Sequence, residues 1–254
     1  MKVLVFCPLH PKPPRLWGRT VQSIFRLDWP YPIDWDFVAG DNPHAEPYDN
    51  VTHVYNRARA RVLQEGYDAL LAVESDMIVP RDALTRLVAT GADVAYGLYV
   101  WRHGRRLWSA YTLLEERHGE SISADWAAAQ AAWGTVIDVA GVGLGCTLIR
   151  RQVLEAIPFR APEDHLVSCD WTLALDAQAA GFTQRCDLGV VCGHQTTSPW
   201  PQILWPSSEV KQGYLSEPLV PLRVLEPGEK VEIPLGMGTL PIYAMPRSRQ
   251  EQDR

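Results

Sequence analysis

The chain has 254 residues, 46% of them hydrophobic and 21% charged, with a formal net charge of −6. That balance suits an α/β domain with a large core and excludes a low-complexity chain. No run approaches the roughly 20 apolar residues needed to span a bilayer, and no long basic tract advertises nucleic-acid binding.

The spacing predicts a first strand over residues 2–6 and a helix over 16–27, with Val21, Ile24, Phe25 and Leu27 on its apolar face. A second strand over 35–39 closes at the turn signal Gly40-Asp41-Asn42-Pro43. A helix over 51–66 carries Arg57, Arg59 and Arg61 and ends at Gly66. Leu70 to Val73 is a short apolar run suited to a strand buried on both faces. A helix over 81–90, with Pro80 in its first turn, and a strand over 93–100 follow.

Beyond residue 100 the pattern loosens. A basic turn at 102–106 precedes an Ala-rich helix over 124–133 and strand-like residues over 136–142, which run into Gly141-Val142-Gly143-Leu144-Gly145. Strand-like 146–149, a helix over 151–157 stopped by Pro158, a helix over 170–181 and a strand over 182–191 lead to His194. From about residue 215 the chain is Pro-rich, with one β-like piece over 222–233 hinged at Glu226-Pro227-Gly228-Glu229. Alternating strands and helices predict a mainly parallel sheet with helices on both faces, and ligands beyond the carboxyl ends of its strands.

Glu74 and Asp76 stand where the 70–73 strand leaves the core. Residues two apart on a strand point the same way, so the two carboxylates would face one cation, or else solvent. Asp41 also follows a strand end. The Gly141–Gly145 spacing departs from the dinucleotide fingerprint and instead suits a close backbone approach to a ligand or strand. Asp170 opens a helix, which fits an N-cap or a fixed, ionised base. Asp76 with His194 and diphosphate oxygens would suit Mn²⁺ or Mg²⁺; no Cys/His group has zinc spacing. Five scattered cysteines and no apparent secretory signal set the expectation of reduced thiols in a cytoplasmic protein. Ten tryptophans are assigned to core and rim packing, with a carbohydrate- or lipid-facing surface as the alternative.

The order of these features is distinctive. It runs from Asp41 through Asn56, Glu74-Ser75-Asp76, Gly141 to Gly145 before Leu148-Ile149-Arg150-Arg151, then Asp170, Ala180-Gly181-Phe182 and His194. Over residues 1 to about 197 it resembles the GT-A fold glycosyltransferases, in particular the family 2 type. The resemblance implies a GT-A-like, Rossmann-related catalytic domain over 1–197. It leaves 198–254 as an extension packed on that domain or on a partner subunit of a homodimer. It further implies a metal-dependent inverting glycosyltransferase that moves a sugar from a nucleotide-sugar donor, UDP-sugar favoured over GDP-sugar, to an acceptor hydroxyl. Asp41 would contact the nucleobase or ribose, with Asn56 and Arg57 in the same donor-binding set. Glu74 would lie near the ribose or sugar, and Asp76 would hold the cation as the last acid of the D-x-D motif. Gly143 and Gly145 would border donor sugar and acceptor, Asp170 would be the general base, and His194 would complete the metal shell. Three positions depart from the family: Cys169 stands where Glu is usual, Thr172 where a second acid often follows, and Asp176 where a basic residue is common.

Three rival readings stand beside this one. A nucleotidyltransferase would show a Gly-rich basic loop after the first strand, whereas Leu9-His10-Pro11-Lys12-Pro13-Pro14-Arg15 is basic without glycine. A non-catalytic sugar- or nucleotide-binding protein would keep the fold without turnover. A glycosyltransferase acting on modified DNA bases would use arginines such as Arg102, Arg105 and Arg106.

Overall fold

The computed structural model describes residues 1–9, 17–39, 42–162, 164, 166–197, 201–210, 212–218, 230–235 and 238–243. Asp41, the loop at 10–16 and the expected hinge at 226–229 lie outside them. A compact unit runs from Met1 to Leu219, and a second from Val220 to Arg254.

In chain order the first unit contains β1 (Val3–Leu9), α1 (Trp17–Phe25), β2 (Ile33–Ala39), α2 (Pro47–Gln64), β3 (Ala69–Val73), β4 (Met77–Ile78) and α3 (Ala83–Ala89). It continues through β5 (Val94–Leu98), β6 (Tyr111–Leu114), β7 (Gly119–Ser121), α4 (Trp126–Ala132), β8 (Val136–Asp138), β9 (Cys146–Arg150) and α5 (Arg151–Ala156). It ends with α6 (Cys169–Ala179), β10 (Gln184–Val191), β11 (Gly193–Gln195), β12 (Gln202–Pro206) and β13 (Tyr214–Pro218). In the second unit, β14 (Lys230–Leu235) and β15 (Gly238–Tyr243) pair as an antiparallel hairpin.

The fold is α/β around a mixed seven-stranded sheet of order β2-β1-β3-β9-β5-β10-β8. β1, β2, β3, β5 and β10 run one way, while β9, between β3 and β5, and edge strand β8 run the other. The expectation of a mainly parallel sheet therefore holds for five strands and misses the reversed strand at the centre. The apolar runs explain the layout. All five residues of β3 are fully buried, as a central strand covered on both faces requires. α2 packs on β1 and β3 through Val54, Tyr55, Ala58 and Val62, and α3 packs on β5, β9 and β10.

Local chemistry moves several boundaries. Pro47 in the first turn starts α2 four residues ahead of the expected 51, because its missing N–H is no loss there. Asp125 caps α4 by accepting from Ala127 N and Ala128 N at 3.0 and 3.2 Å. The strand expected over 136–142 stops at Asp138, since Ala140 and Gly141 bond instead to Tyr111. A second sheet of order β13-β12-β11-β4 is antiparallel throughout, so ordered pairing reaches Pro218, beyond the expected frame of 1–197.

Arg86 on α3 clamps Asp187 on β10 in a two-point ion pair, Nε to Oδ2 at 2.9 Å and Nη2 to Oδ1 at 2.7 Å. Asp187 is 3% exposed, so removing its partner leaves a buried charge. Breaking a fully buried pair costs roughly 3–5 kcal/mol. Because the Arg86 side chain is 37% exposed, Arg86→Ala is expected to cost about 2–3 kcal/mol in urea unfolding, and Arg86→Lys less.

Candidate active site

β3 ends at Val73 and the backbone turns at once, with Met77 N donating to the Glu74 carbonyl at 3.0 Å. Glu74 N donates to the Gly145 carbonyl at 3.1 Å, and Thr20 Oγ1 on α1 donates to the Ser75 carbonyl at 2.9 Å. A braced turn, not the pleat of a strand, therefore displays Glu74 and Asp76. The two carboxylates still sense each other. Burial first, then the charges of Asp76 and Asp170, pushes the Glu74 carboxyl up to about 8.

The second sheet carries His194 to Asp76. β11 pairs with β4, placing His194 opposite Met77, and Gln195 N donates to the Asp76 carbonyl at 2.9 Å. His194 Nδ1 lies 2.7 Å from the Val100 carbonyl, which can only accept, so Nδ1 carries the proton. Nε2 is left facing Asp76 Oδ2 at 3.6 Å. The Arg102 guanidinium bonds to the same Oδ2. Burial alone would raise the Asp76 carboxyl, but His194 and Arg102 outweigh it and hold it below its ordinary value.

The glycine-rich segment crosses the other side. A Cβ built on Gly143 would collide with the Tyr99 hydroxyl and lie 2.9 Å from Asp170 Oδ2, and one on Gly145 would lie 2.9 Å from Tyr99 Cε1 and 3.2 Å from Met77 Cε. Glycine is required at both positions by close approach. The Tyr99 ring stands edge-on to His194 with centroids 5.3 Å apart, so it links the glycine segment to the acid–imidazole pair.

Asp170 sits in the first turn of α6, behind the N-cap Ser168. Its Oδ1 accepts from Trp171 N at 2.7 Å and from the Ser168 hydroxyl. Oδ2 is the oxygen turned toward Gly143. Burial raises the Asp170 carboxyl despite these bonds. Cys169 is buried beside it, and burial also pushes its thiol up, so it presents no reactive thiolate. All five cysteines are buried and free.

Glu74, Asp76, Gly143, Gly145, Asp170 and His194 thus gather around Tyr99. Asn56 is engaged at both ends of its amide by the Phe159 backbone, at 2.7 and 3.1 Å, and Arg57 is exposed. Among the described residues no hydrogen bond or ion pair joins these two to the cluster. Sequence reasoning missed Tyr99, which reads as one more strand aromatic. It noticed Arg102 as part of a basic turn and of an arginine patch, not as the partner of Asp76. It also missed Tyr55, whose buried hydroxyl has no hydrogen-bond partner among the described residues and feels Glu74, Cys169 and Asp170.

Asp76 and His194 fit a hard divalent cation. Ligands held about 2.1 Å from one ion stand about 3–4 Å apart, and Asp76 Oδ2 and His194 Nε2 are separated by 3.6 Å. The Nδ1 bond to a carbonyl fixes the imidazole as metal-ligating histidines usually are. Among the described residues no group of three or more His, Cys, Asp or Glu side chains is placed to hold a metal. An ion here would need its remaining ligands from outside these two residues, and would displace Arg102 from Oδ2.

The raised Glu74 carboxyl makes a pH prediction for the protein in EDTA. A carboxyl raised on folding from an ordinary 4.5 to about 8 favours the folded state below pH 4.5 and loses that contribution as pH rises through 8. Asp76, held below 3.8, titrates beneath that window. Glu74→Gln is therefore expected to gain stability relative to wild type between pH 5 and pH 8.5. The gain should be about 2–4 °C in Tm, the shift that roughly 1 kcal/mol produces in a domain of this size. A constant difference across that range in a melting series would remove the buried-carboxyl account.

No protein-family model matches the chain, and no curated protein matches it. Among solved structures it is similar to the crystal structure of A197 from STIV, with a TM-score of 0.55 and 18% identity, covering 89% of this chain and 99% of that one. At that identity the similarity concerns the fold alone. No helix among the described residues is long and apolar enough to cross a membrane.

Proposed function

We propose that the protein is a GT-A-like inverting glycosyltransferase that uses a nucleotide-sugar donor and a divalent cation. One observation carries the reading: Asp76 with His194, and Asp170 Oδ2, face the same glycine–Tyr99 junction from different segments. The position supports it too, since Glu74 and Asp76 follow the carboxyl end of β3 and Tyr99 follows that of β5, where α/β sheets bind ligands.

The residues divide the chemistry. Asp76 and His194 would hold Mn²⁺ or Mg²⁺ on the donor diphosphate, and the bound ion supplies Lewis-acid neutralisation of the leaving group. Arg102, once turned from Asp76, offers a second positive charge to the phosphates. The acceptor hydroxyl oxygen attacks the anomeric carbon and forms the new C–O bond. The bond from that carbon to the donor phosphate oxygen breaks, and its electron pair leaves with the nucleoside diphosphate. The hydroxyl proton passes to Asp170 Oδ2. One displacement from the face opposite the leaving group inverts the anomeric centre.

A thermal-shift series with UDP, GDP, CDP, dTDP and ADP, each with Mn²⁺, Mg²⁺ or EDTA, tests the donor site. A ligand at 100 times its Kd stabilises the folded state by about 2.7 kcal/mol, so one nucleotide is expected to raise Tm with metal and not with EDTA. Absence of any shift at millimolar nucleotide overturns the reading.

A further inference from the structure

A row of aromatic rings leads outward from Asp170. Its chain neighbour Trp171 packs edge-on to Tyr111 with centroids 5.4 Å apart, and Tyr111 packs edge-on to Trp101 at 6.2 Å. The inner part of the row is built in. Tyr111 exchanges hydrogen bonds with the glycine segment, its N donating to the Gly141 carbonyl at 3.0 Å and its carbonyl accepting from Ala140 N at 2.8 Å. Trp171 Nε1 donates to the Glu115 carbonyl at 2.9 Å. A Cβ on Gly119 would lie 2.8 Å from both the Tyr111 and Trp171 rings, so the β6–β7 hairpin is pared back where they pass.

The outer ring differs from the inner two. Tyr111 is 9% exposed, whereas Trp101 is 43% exposed. The residue after Trp101 is Arg102, whose guanidinium reaches Asp76. One turn, closed by Trp101 N donating to the Leu107 carbonyl at 2.9 Å, therefore sends an indole toward the Asp170 side and a guanidinium toward the Asp76 side. An acceptor seated on that indole would lie beside both halves of the proposed chemistry.

We propose that Trp101 is the stacking platform for a saccharide acceptor, holding a pyranose ring against the indole so that a hydroxyl reaches Asp170. The proposal rests on the transferase reading and names its acceptor class. An indole offers a broad apolar face at small conformational cost, and a pyranose presents a matching face of C–H groups with hydroxyls at its rim. The surroundings carry both signs of charge, since His103 and Arg105 are exposed on the same turn as Trp101. Glu115, Glu116 and Glu120 are exposed on the adjoining hairpin, and Arg117 there is paired with Asp164 at 2.5 Å. A neutral sugar would find hydrogen-bond acceptors on the hairpin and donors on the turn, and a nucleic acid would meet the hairpin carboxylates as well as the arginines.

The experiment compares wild type, Trp101→Ala and Trp101→Phe on a panel of immobilised α- and β-linked gluco-, manno-, galacto- and N-acetylglucosamine oligosaccharides. A single-stranded DNA oligonucleotide is included, and the metal-dependent nucleotide thermal shift is recorded for each protein. Wild type is expected to bind at least one glycan class, Trp101→Ala about 10-fold more weakly and Trp101→Phe in between. The nucleotide shift should be equal in all three, which also shows that each variant is folded. Binding of no glycan by wild type, equal glycan binding by Trp101→Ala, or preferential capture of the DNA would each overturn the proposal. The nucleotide shift fails separately: glycan binding without it would sink the donor site and leave the platform standing.

Discussion

Asp170→Asn is expected to lower sugar transfer by about 10²–10⁴-fold, the usual contribution of a general base, while leaving donor binding intact. The substitution is nearly isosteric. Asparagine keeps an Oδ1 that accepts from Trp171 N and the Ser168 hydroxyl, so the start of α6 should hold its shape. It also removes a charge that burial disfavours, so the variant should melt at or above the wild-type temperature. The same burial gives the reaction a pH signature. A base must be deprotonated to act, and the Asp170 carboxyl is raised. The acid limb of the rate profile should therefore lie above the ordinary aspartate range and flatten in Asp170→Asn. Initial rates across pH, with product anomers assigned by proton NMR, check both points. A variant that keeps wild-type turnover would remove Asp170 from the chemistry. One that loses the nucleotide-induced shift as well would mark it as a structural residue of the donor site.

The legible parts of the molecule were those in which local pattern decides. Val3 to Cys7 and Leu70 to Val73 are apolar without alternation, and they became buried neighbouring strands. The entry to α6 near Asp170 and the acid-rich exit from β3 were visible because chain direction and residue type coincide there, although Ser168 and not Asp170 is the N-cap. What escaped depends on partners far along the chain. An apolar run carries no mark of direction, so Cys146–Arg150 gave no sign of running antiparallel between β3 and β5. β4 has two residues, too few for any period, yet it brings Asp76 and His194 together. Asn56 looked available to a ligand because Phe159, its partner, is 103 positions away. Arg102 was legible as part of an arginine patch, but the opposite destinations of Arg102 and Trp101 exist only once Asp76 and Tyr111 are in place.

Asp76→Asn is expected to abolish metal-dependent nucleotide binding and to cut transfer by about 10³-fold or more, since Lewis-acid stabilisation of a leaving diphosphate is worth several kcal/mol. Asp76 is the carboxylate on which every part of the proposed cation site converges. It faces His194 Nε2 at 3.6 Å, and Arg102 bonds to the same oxygen. Asparagine cannot neutralise the Arg102 guanidinium, and its amide offers a weaker ligand to a hard ion. The fold should tolerate the change. The Arg102 side chain is already 31% exposed and can turn to water, and the backbone bond from Gln195 N to the Asp76 carbonyl is untouched. Melting in EDTA should therefore stay near wild type, while the Mn²⁺-dependent shift with nucleotide disappears. Arg102→Gln supplies the converse. With its competitor gone, Asp76 should take Mn²⁺ more tightly, read by titration calorimetry with the metal alone. A full metal-dependent shift in Asp76→Asn would move the donor site away from this carboxylate. A loss of shift accompanied by a collapse of Tm in EDTA would mean that Asp76 serves the β4–β11 junction first, and Asp76→Glu, which restores the charge, would then have to recover the fold without recovering the metal.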